Sequence, residues 1–400
     1  MLTFLCIASY DKGHEFLREL KRQGCRVLLL TSLSLKDTAK WPLESIDEIF
    51  YMPDEQHVWN REHAILAVSH LARRESIDRL APLDDLDLEL AAALREHLRV
   101  GGMGETTTRY FRDKLAMRAK ARETGLLVPE FVHLLNDESV REFTCQVSAP
   151  WVLKPRSLAG SIGIHKVDHV EELAGLDAAL GDRRSFYLLE QFIAGDVFHV
   201  DSIVYEREMR FATASRYGRP LMEISHHGGV FTSQLLDRDS EDYRELLALN
   251  EQALGVMGML RGVSHTEFIK SRENGCFYFL ETSARVGGAH IVELVEAATG
   301  VNLWAEWAKL EIAAGHAPYR PPEPRGDYAG LLVSLARQEH PDTSAFDDPE
   351  IAWRMDKRHH VGFIVRSPSL ERVGQLMDIY LGRIQRDFFT YAPALEKPGD

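Results

Sequence analysis

Between residues 266 and 289 the chain places two glutamates inside apolar runs that would ordinarily exclude charge. Thr266-Glu267-Phe268-Ile269 is followed, across Ser271-Arg-Glu-Asn-Gly275, by Phe277-Tyr-Phe-Leu280-Glu281-Thr282-Ser283-Ala284-Arg285-Val286-Gly287-Gly288-Ala289. Two apolar runs joined by a polar, glycine-ended turn predict a β-hairpin. Alternation puts Glu267 and Glu281 on neighbouring strands, able to face the same side. Glutamates at water-exposed strand ends would not account for Glu281 after Phe-Tyr-Phe-Leu, and a buried carboxylate needs a partner. Hard carboxylate oxygens with open positions suit a Mg²⁺ ion that bridges nucleotide phosphates. Arg285, just past the second strand, adds a bidentate donor for a phosphoryl or carboxylate oxygen. Gly287-Gly288 lets the backbone approach a ligand closely.

Three other segments carry compatible chemistry. Val152-Leu153-Lys154-Pro155 ends a predicted strand on a cation, and Ala159-Gly160-Ser161-Ile162-Gly163 follows as a glycine-rich turn. Such a turn brings backbone N–H groups against phosphate oxygens without side-chain obstruction. Upstream, Arg112-Asp113-Lys114 offers a second lysine to the same phosphates. The third segment is Leu188-Leu189-Glu190-Gln191-Phe192-Ile193-Ala194-Gly195-Asp196, a strand running into a short apolar connection whose backbone can read an adenine edge. Glu190 or Asp196 could take ribose hydroxyls or the adenine amino group. Each segment alone also has a bland reading: a hairpin lysine, a solvated helix face, a strand ending in a turn.

At 400 residues the chain exceeds one ordinary core, which predicts several subdomains. Strand, helix and strand alternate through 2–8, 15–24, 26–31, 48–51, 58–74, 78–82 and 86–98, the pattern of a parallel α/β unit over residues 1–105. No GxGxxG follows the first strand, so a dinucleotide-binding reading has no support. Gly101-Gly102-Met-Gly104 makes a break. A small α+β unit then spans 106–190. Long strands with a helix around 241–258 and another near 289–312 fill 191–317. After the prolines at 318, 321, 322 and 324, residues 326–400 read as a small α/β appendage.

The hydrophobic fraction of 45% and charged fraction of 27% are those of a soluble globular protein. No apolar run approaches the ~20 residues of a membrane helix, and the N-terminus lacks the basic flank of a signal peptide. Cys6, Cys25, Cys145 and Cys276 form no metal spacing, which suits free thiols in a reducing, cytoplasmic setting. A net charge of −14 opposes nucleic acid and anionic membranes as partners, so an anionic ligand needs a local cluster of cations.

Taken in order, Lys114, Lys154 with its glycine-rich turn, the Glu190 hinge and the Glu267/Glu281/Arg285 group resemble the ATP-grasp superfamily over roughly residues 1–315. His199-Val-Asp201-Ser202 and Leu-Glu-x-x-x-Arg-x-Gly-Gly resemble its carboxylate–amine ligases, including the L-amino-acid ligase group. The resemblance implies an N-terminal open parallel α/β domain, then an ATP-grasp fold of two α+β subdomains clamping ATP. It implies Lys114, Lys154 and the turn at Gly160, Ser161 and Gly163 on the phosphates. Glu190, Gln191, Phe192 and Ile193 would lie on adenine, with Phe279 or Leu280 against the ring. Glu267 and Glu281 would bind Mg²⁺, with Mn²⁺ as a substitute, and Arg285 would steady the transferring phosphoryl group. The implied activity joins a small carboxylate to an amine, both amino acids, through an acyl phosphate, with release of ADP and phosphate. A homodimer through the N-terminal domain is implied as well.

Two positions depart from the family pattern. Ser283 stands where many members have an Asn metal ligand and is the candidate third ligand here, and Val197 stands where the ribose-binding acid commonly lies, so either the adjacent Asp196 substitutes for it or the ribose contact is lost. Rival readings are a biotin-carboxylase-like, carboxyphosphate-forming enzyme and a non-catalytic nucleotide-binding module. Elsewhere His226-His227 and the cluster 354–360 read as solvated, Arg216 as a surface ion pair, and His199 and His265 as hydrogen-bonded core residues.

Overall fold

The computed structural model describes residues 1–158, 160, 162–219 and 228–391. Three sheets and a two-stranded hairpin organise it. The first is parallel, with β1 (Thr3–Ala8), β2 (Arg26–Ser32), β3 (Glu48–Met52) and, after the hairpin of β4 (Asp54–Glu55) and β5 (Val58–Trp59), β6 (Arg79–Pro82). Its order is β3-β2-β1-β6. Every residue of β1 is buried, because helices cover both faces of a parallel sheet and its centre must be apolar throughout. Helix His14–Arg22 ends before Gly24, whose φ of 75° is the left-handed conformation that stops a helix. The Asn60 side chain caps helix Arg61–Leu71 by accepting from the His63 N–H. Asp84 and Asp85 follow β6, at the strand ends where open α/β sheets gather ligand residues.

The second sheet is antiparallel, with β7 (Phe131–His133), β8 (Trp151–Pro155), β9 (His165–Val167) and β10 (Tyr187–Gln191) in the order β7-β10-β8-β9. Phe143, Trp151, Leu153, Val167, Leu173 and Leu189 pack together on one face, under helices Asp137–Gln146 and Val170–Leu180. The opposite face carries Lys154 and Glu190.

The third sheet has eight strands: β11 (Gly195–Tyr205), β12 (Glu208–Tyr217), β13 (Phe231–Leu235), β14 (Gly262–Ser271), β15 (Phe277–Ser283), β16 (Tyr328–Leu335), β17 (Ile351–Arg354) and β18 (His360–Ser367). Their order is β15-β14-β11-β12-β13-β16-β18-β17. The residues expected as a C-terminal α/β appendage do hold strands and a helix, and those strands are continuous with the central sheet. β16 pairs with β13, giving that strand's open edge a hydrogen-bonded partner. Helix Leu370–Asp387 buries Val373, Leu376, Tyr380 and Ile384 against Leu332, Phe363 and Val365. The single helix expected near 289–312 is two, Ile291–Thr299 and Leu303–Ala313. Gly300, at φ 80°, ends the first, and the Asn302 side chain caps the second.

Candidate active site

The second and third sheets enclose a cavity of about 710 Å³, and Asp85 reaches it from the N-terminal region. Most of its chemistry follows from pleat alternation on one face of the third sheet. β14 and β11 pair with Ile269 opposite Val197, Glu267 opposite His199, and His265 opposite Asp201. β15 places Glu281 opposite Glu267 and Ser283 opposite His265. Residues directly across a ladder share a face, so both glutamates point toward the cavity, as the sequence predicts. A β-bulge interrupts this pairing: Phe268 faces Phe279, and Leu280 is the extra residue. The bulge lets Phe279 join the core while Leu280 and Glu281 both line the cavity. Of the two residues expected against an adenine ring, Leu280 lines the cavity and Phe279 is buried in the core.

Lys154 and Glu190 meet on the cavity face of the second sheet as a diagonal pair, Lys154 lying opposite Leu188 and Glu190 opposite Val152. Both are buried and form a close ion pair. Burial pushes the Lys154 ammonium down to about 8 against the pull of Glu190. Burial alone would raise the Glu190 carboxyl, but Arg118 and Lys154 outweigh it and hold the group below its usual range. Arg118 Nε reaches Glu190 Oε2 at 3.1 Å, and its Nη1 donates to the Leu280 carbonyl. Glu190 lines the cavity with both carboxylate oxygens already in contact with cations. The ion pair holds Lys154 in place.

Lys114 is the first residue of helix Lys114–Glu123, which Asp113 caps through the N–H groups of Leu115 and Ala116. Its ammonium donates to the Leu158 carbonyl at 2.7 Å and lies 3.0 Å from Glu281 Oε2. Burial tends to raise the Glu281 carboxyl, while Lys114 and then Lys154 draw it below its ordinary value. Arg112, just before the cap, pairs with Asp85 and donates to the Ser157 carbonyl at 2.6 Å. The 112–114 segment thus grips the chain that leads into the glycine-rich turn. Within that turn Gly160 lines the cavity and has φ 70°. Gly163 does not line it; φ there is 69°, and a Cβ would lie 3.0 Å from Pro155 Cγ. Ser161 lies outside the described residues, as do His226 and His227.

Gln191, Phe192 and Ile193 line the cavity. The Gln191 and Phe192 amides are bonded to the Glu130 and Pro150 carbonyls, whereas the Ile193 N–H has no protein acceptor among the described residues. Asp196 does not line the cavity. Alternation along β11 turns Val197 inward and Asp196 outward, where it pairs with Arg272 at 2.5 Å and with Arg216 at 4.0 Å. Ser283 does line the cavity, but its hydroxyl donates to Asp85. Asp85 is buried, which would raise its carboxyl, yet Arg112 and Arg285 hold it low. Arg285 lines the cavity with one guanidinium nitrogen on the Val286 carbonyl at 2.7 Å.

Sequence reasoning missed Arg118, Asp85 and Tyr217. Arg118 carried a local signal, since it lies four residues after Lys114 on one helix and so shares its face. Tyr217 donates to Glu267 Oε1 at 2.9 Å and approaches His265 Nε2 at 3.2 Å. His199, Asp201 and His265 gather as a buried cluster of metal-ligand types. Their contacts of 2.7 and 2.8 Å are hydrogen bonds to Asp201, because ligands around one tetrahedral zinc stand roughly 3.3 Å apart. Burial opposes charge on His265, but Asp201, and less strongly Glu267, hold it up at about 9.

No protein-family model matches the chain. The chain is 25% identical over 242 residues to an L-arginine-specific L-amino acid ligase of Bacillus subtilis, a match covering 59% of this chain and 58% of that protein's length. The crystal structure of an L-amino acid ligase from Bacillus licheniformis superimposes with a TM-score of 0.76 at 18% identity, over 98% of this chain and 99% of that one. A carboxyaminoimidazole ribonucleotide synthase from Aspergillus clavatus, complexed with ATP, follows at 0.73 and 13% identity, over 96% and 98%. The chain shares the fold of these enzymes over nearly its whole length, and the residues that line its cavity follow in the order expected from the ATP-grasp resemblance.

Proposed function

We propose that the chain is an ATP- and Mg²⁺-dependent carboxylate–amine ligase that joins two amino acids through an acyl phosphate, releasing ADP and phosphate. The observation that carries this reading is the facing pair Glu267 and Glu281 beneath two buried lysines, with Arg285 at the same end. The residues suit the absent groups. The Ile193 N–H, without a protein acceptor among the described residues, and the Leu280 side chain suit an adenine edge and face, while Lys114 and Lys154 supply the cations a triphosphate needs in a protein of net charge −14. Glu267 and Glu281 provide hard oxygens for Mg²⁺, which would neutralise phosphate charge. The Ser283 hydroxyl, already given to Asp85, is a weak candidate for a further ligand.

In this reading the protein positions and neutralises more than it reacts. Lys114 and Lys154 hold the phosphates, and Arg285 holds the phosphoryl group and the carboxylate that attacks it. The amine then attacks the acyl carbon, the C–O bond to phosphate breaks, and the proton lost by the amine leaves with the departing phosphate. The N-terminal region, through Asp85 and Arg112, helps close the cavity against water that would otherwise hydrolyse the acyl phosphate.

The test incubates the protein with ATP, Mg²⁺ and pools of amino acids, and follows ADP and AMP. ADP and phosphate are expected only when acid and amine are both present, with Glu281→Gln abolishing turnover. AMP and pyrophosphate would mean adenylation and sink the mechanism. ADP formed with bicarbonate as the only acid would favour the carboxyphosphate reaction.

A further inference from the structure

A line of buried polar side chains on the third sheet ends on one of the two cavity glutamates. Asp201 accepts from His199 Nδ1 at 2.7 Å and from His265 Nδ1 at 2.8 Å. The other nitrogen of His199 meets Ser233 Oγ at 2.7 Å. The other nitrogen of His265 lies 3.2 Å from the Tyr217 hydroxyl and 3.5 Å from Glu267 Oε1, and that hydroxyl donates to the same Oε1 at 2.9 Å. An ionised carboxylate only accepts, so both Nδ1 protons point at Asp201 and the phenol proton points at Glu267. His265 Nε2 then lies against the phenol oxygen at 3.2 Å and fixes the phenol's place over Glu267. The line terminates on a single oxygen, Glu267 Oε1. Glu267 Oε2 has no protein partner among the described residues.

The surroundings keep this arrangement rigid and dry. Asp201, His199 and Ser233 are fully buried. Helix Ile291–Thr299 closes over Asp201 only because residue 287 is glycine: a Cβ there would stand 2.7 Å from Ile291 Cγ2 and 3.0 Å from Asp201 Oδ1. The Tyr217 ring centroid lies 4.7 Å from that of His199 and 5.6 Å from that of Phe231, so its packing does not depend on its hydroxyl. Two carboxylates directly opposite on paired strands repel. Lys114 offsets Glu281, and the Tyr217 hydroxyl hydrogen-bonds Glu267.

We propose that Tyr217 and His265, anchored on Asp201, are positioning residues that tie one oxygen of Glu267 to the protein and present the other, beside Glu281, to the metal ion. This rests on reading Glu267 and Glu281 as the metal-binding pair. Partners of this kind, which orient a ligand without touching the metal, typically change metal affinity about 10–100-fold when removed.

The experiment titrates Mn²⁺ into the full-length chain with ADP present and follows free Mn²⁺ by electron paramagnetic resonance. ADP binding without metal and the melting temperature are measured in parallel. Tyr217→Phe is expected to weaken Mn²⁺ binding about tenfold or more and to leave metal-free ADP binding unchanged. His265→Gln is expected to act in the same direction, and Glu267→Gln to remove most of the Mn²⁺ affinity. If Glu267→Gln loses Mn²⁺ while Tyr217→Phe binds it as the wild type does, the positioning proposal is overturned and the metal site stands. If Glu267→Gln also binds Mn²⁺ unchanged, the metal-binding reading itself falls. A purely structural role for Tyr217 would lower the melting temperature without moving the Mn²⁺ titration. Should His265→Gln fail to fold, Tyr217→Phe decides the matter alone.

Discussion

Lys154 is a cation stripped of most of its water, and its behaviour should follow from that. Burial drives its ammonium down to about 8 in spite of the Glu190 carboxylate beside it. A lysine is charged below its pKa, so attraction for phosphate is complete near neutral pH and fades as pH rises through that value. Mg²⁺·ADP affinity measured by calorimetry should therefore fall by about tenfold between about pH 7 and pH 9.5. Lys154→Met should start weaker and show a flat profile across the same interval; a profile equally steep in the variant would assign the titration elsewhere. Single residues also show where local reading stops. A lysine ending an apolar strand before a glycine-rich turn is visible in the sequence. That Glu190 is paired with both Lys154 and Arg118 is not, because Arg118 lies 72 residues away. Ser283 bonds to Asp85, 198 residues away, and no spacing in the chain announces that pairing.

Among the elements, the bulge at Leu280 and the helix Lys114–Glu123 do the most to shape the cavity. Strict alternation along β15 would put Phe279 and Glu281 on the same face, one of them in the wrong environment. The extra residue resolves this, and Arg118 takes up the Leu280 carbonyl that the interrupted ladder leaves over. Fully buried, Arg118 joins one helix to a strand of each antiparallel sheet through Glu190 and Leu280. Removing one partner of a buried ion pair costs about 3–5 kcal/mol. Arg118→Met should accordingly lower unfolding stability by about that amount in urea titrations. A loss below about 1 kcal/mol would mean that Lys154 alone satisfies Glu190. The hairpin of β14 and β15 was readable because its period and its turn are local. The bulge was not, since it records how two ladders must fit at once.

At the scale of the whole molecule, the site is closed by parts far apart in the chain. Asp85 comes from the end of the N-terminal sheet, Arg112 from the loop before helix Lys114–Glu123, and Ser283 from the far edge strand of the central sheet. The C-terminal segment acts at a distance too. β16 completes β13, and Leu332, Phe363 and Tyr380 belong to one buried cluster with Val230. A chain ending after residue 325 would expose that edge and lose every buried member of that cluster except Val230. It should aggregate on size-exclusion chromatography and lose its cooperative melt, whereas a monodisperse, cooperatively melting product would show that the segment is dispensable to the fold. The sequence by itself determined the parallel N-terminal unit, the acid-bearing hairpin, the lysine beside its glycine-rich turn and the hinge, because each is written in residues within a few positions of one another. Only the tertiary structure decided that Asp196 faces outward, that Glu190 and Ser283 are engaged by distant partners, and that the Asp201–His265–Tyr217 line ends on Glu267. Those outcomes depend on strand register and on contacts between segments remote in the chain, and neither leaves a periodic trace in the sequence.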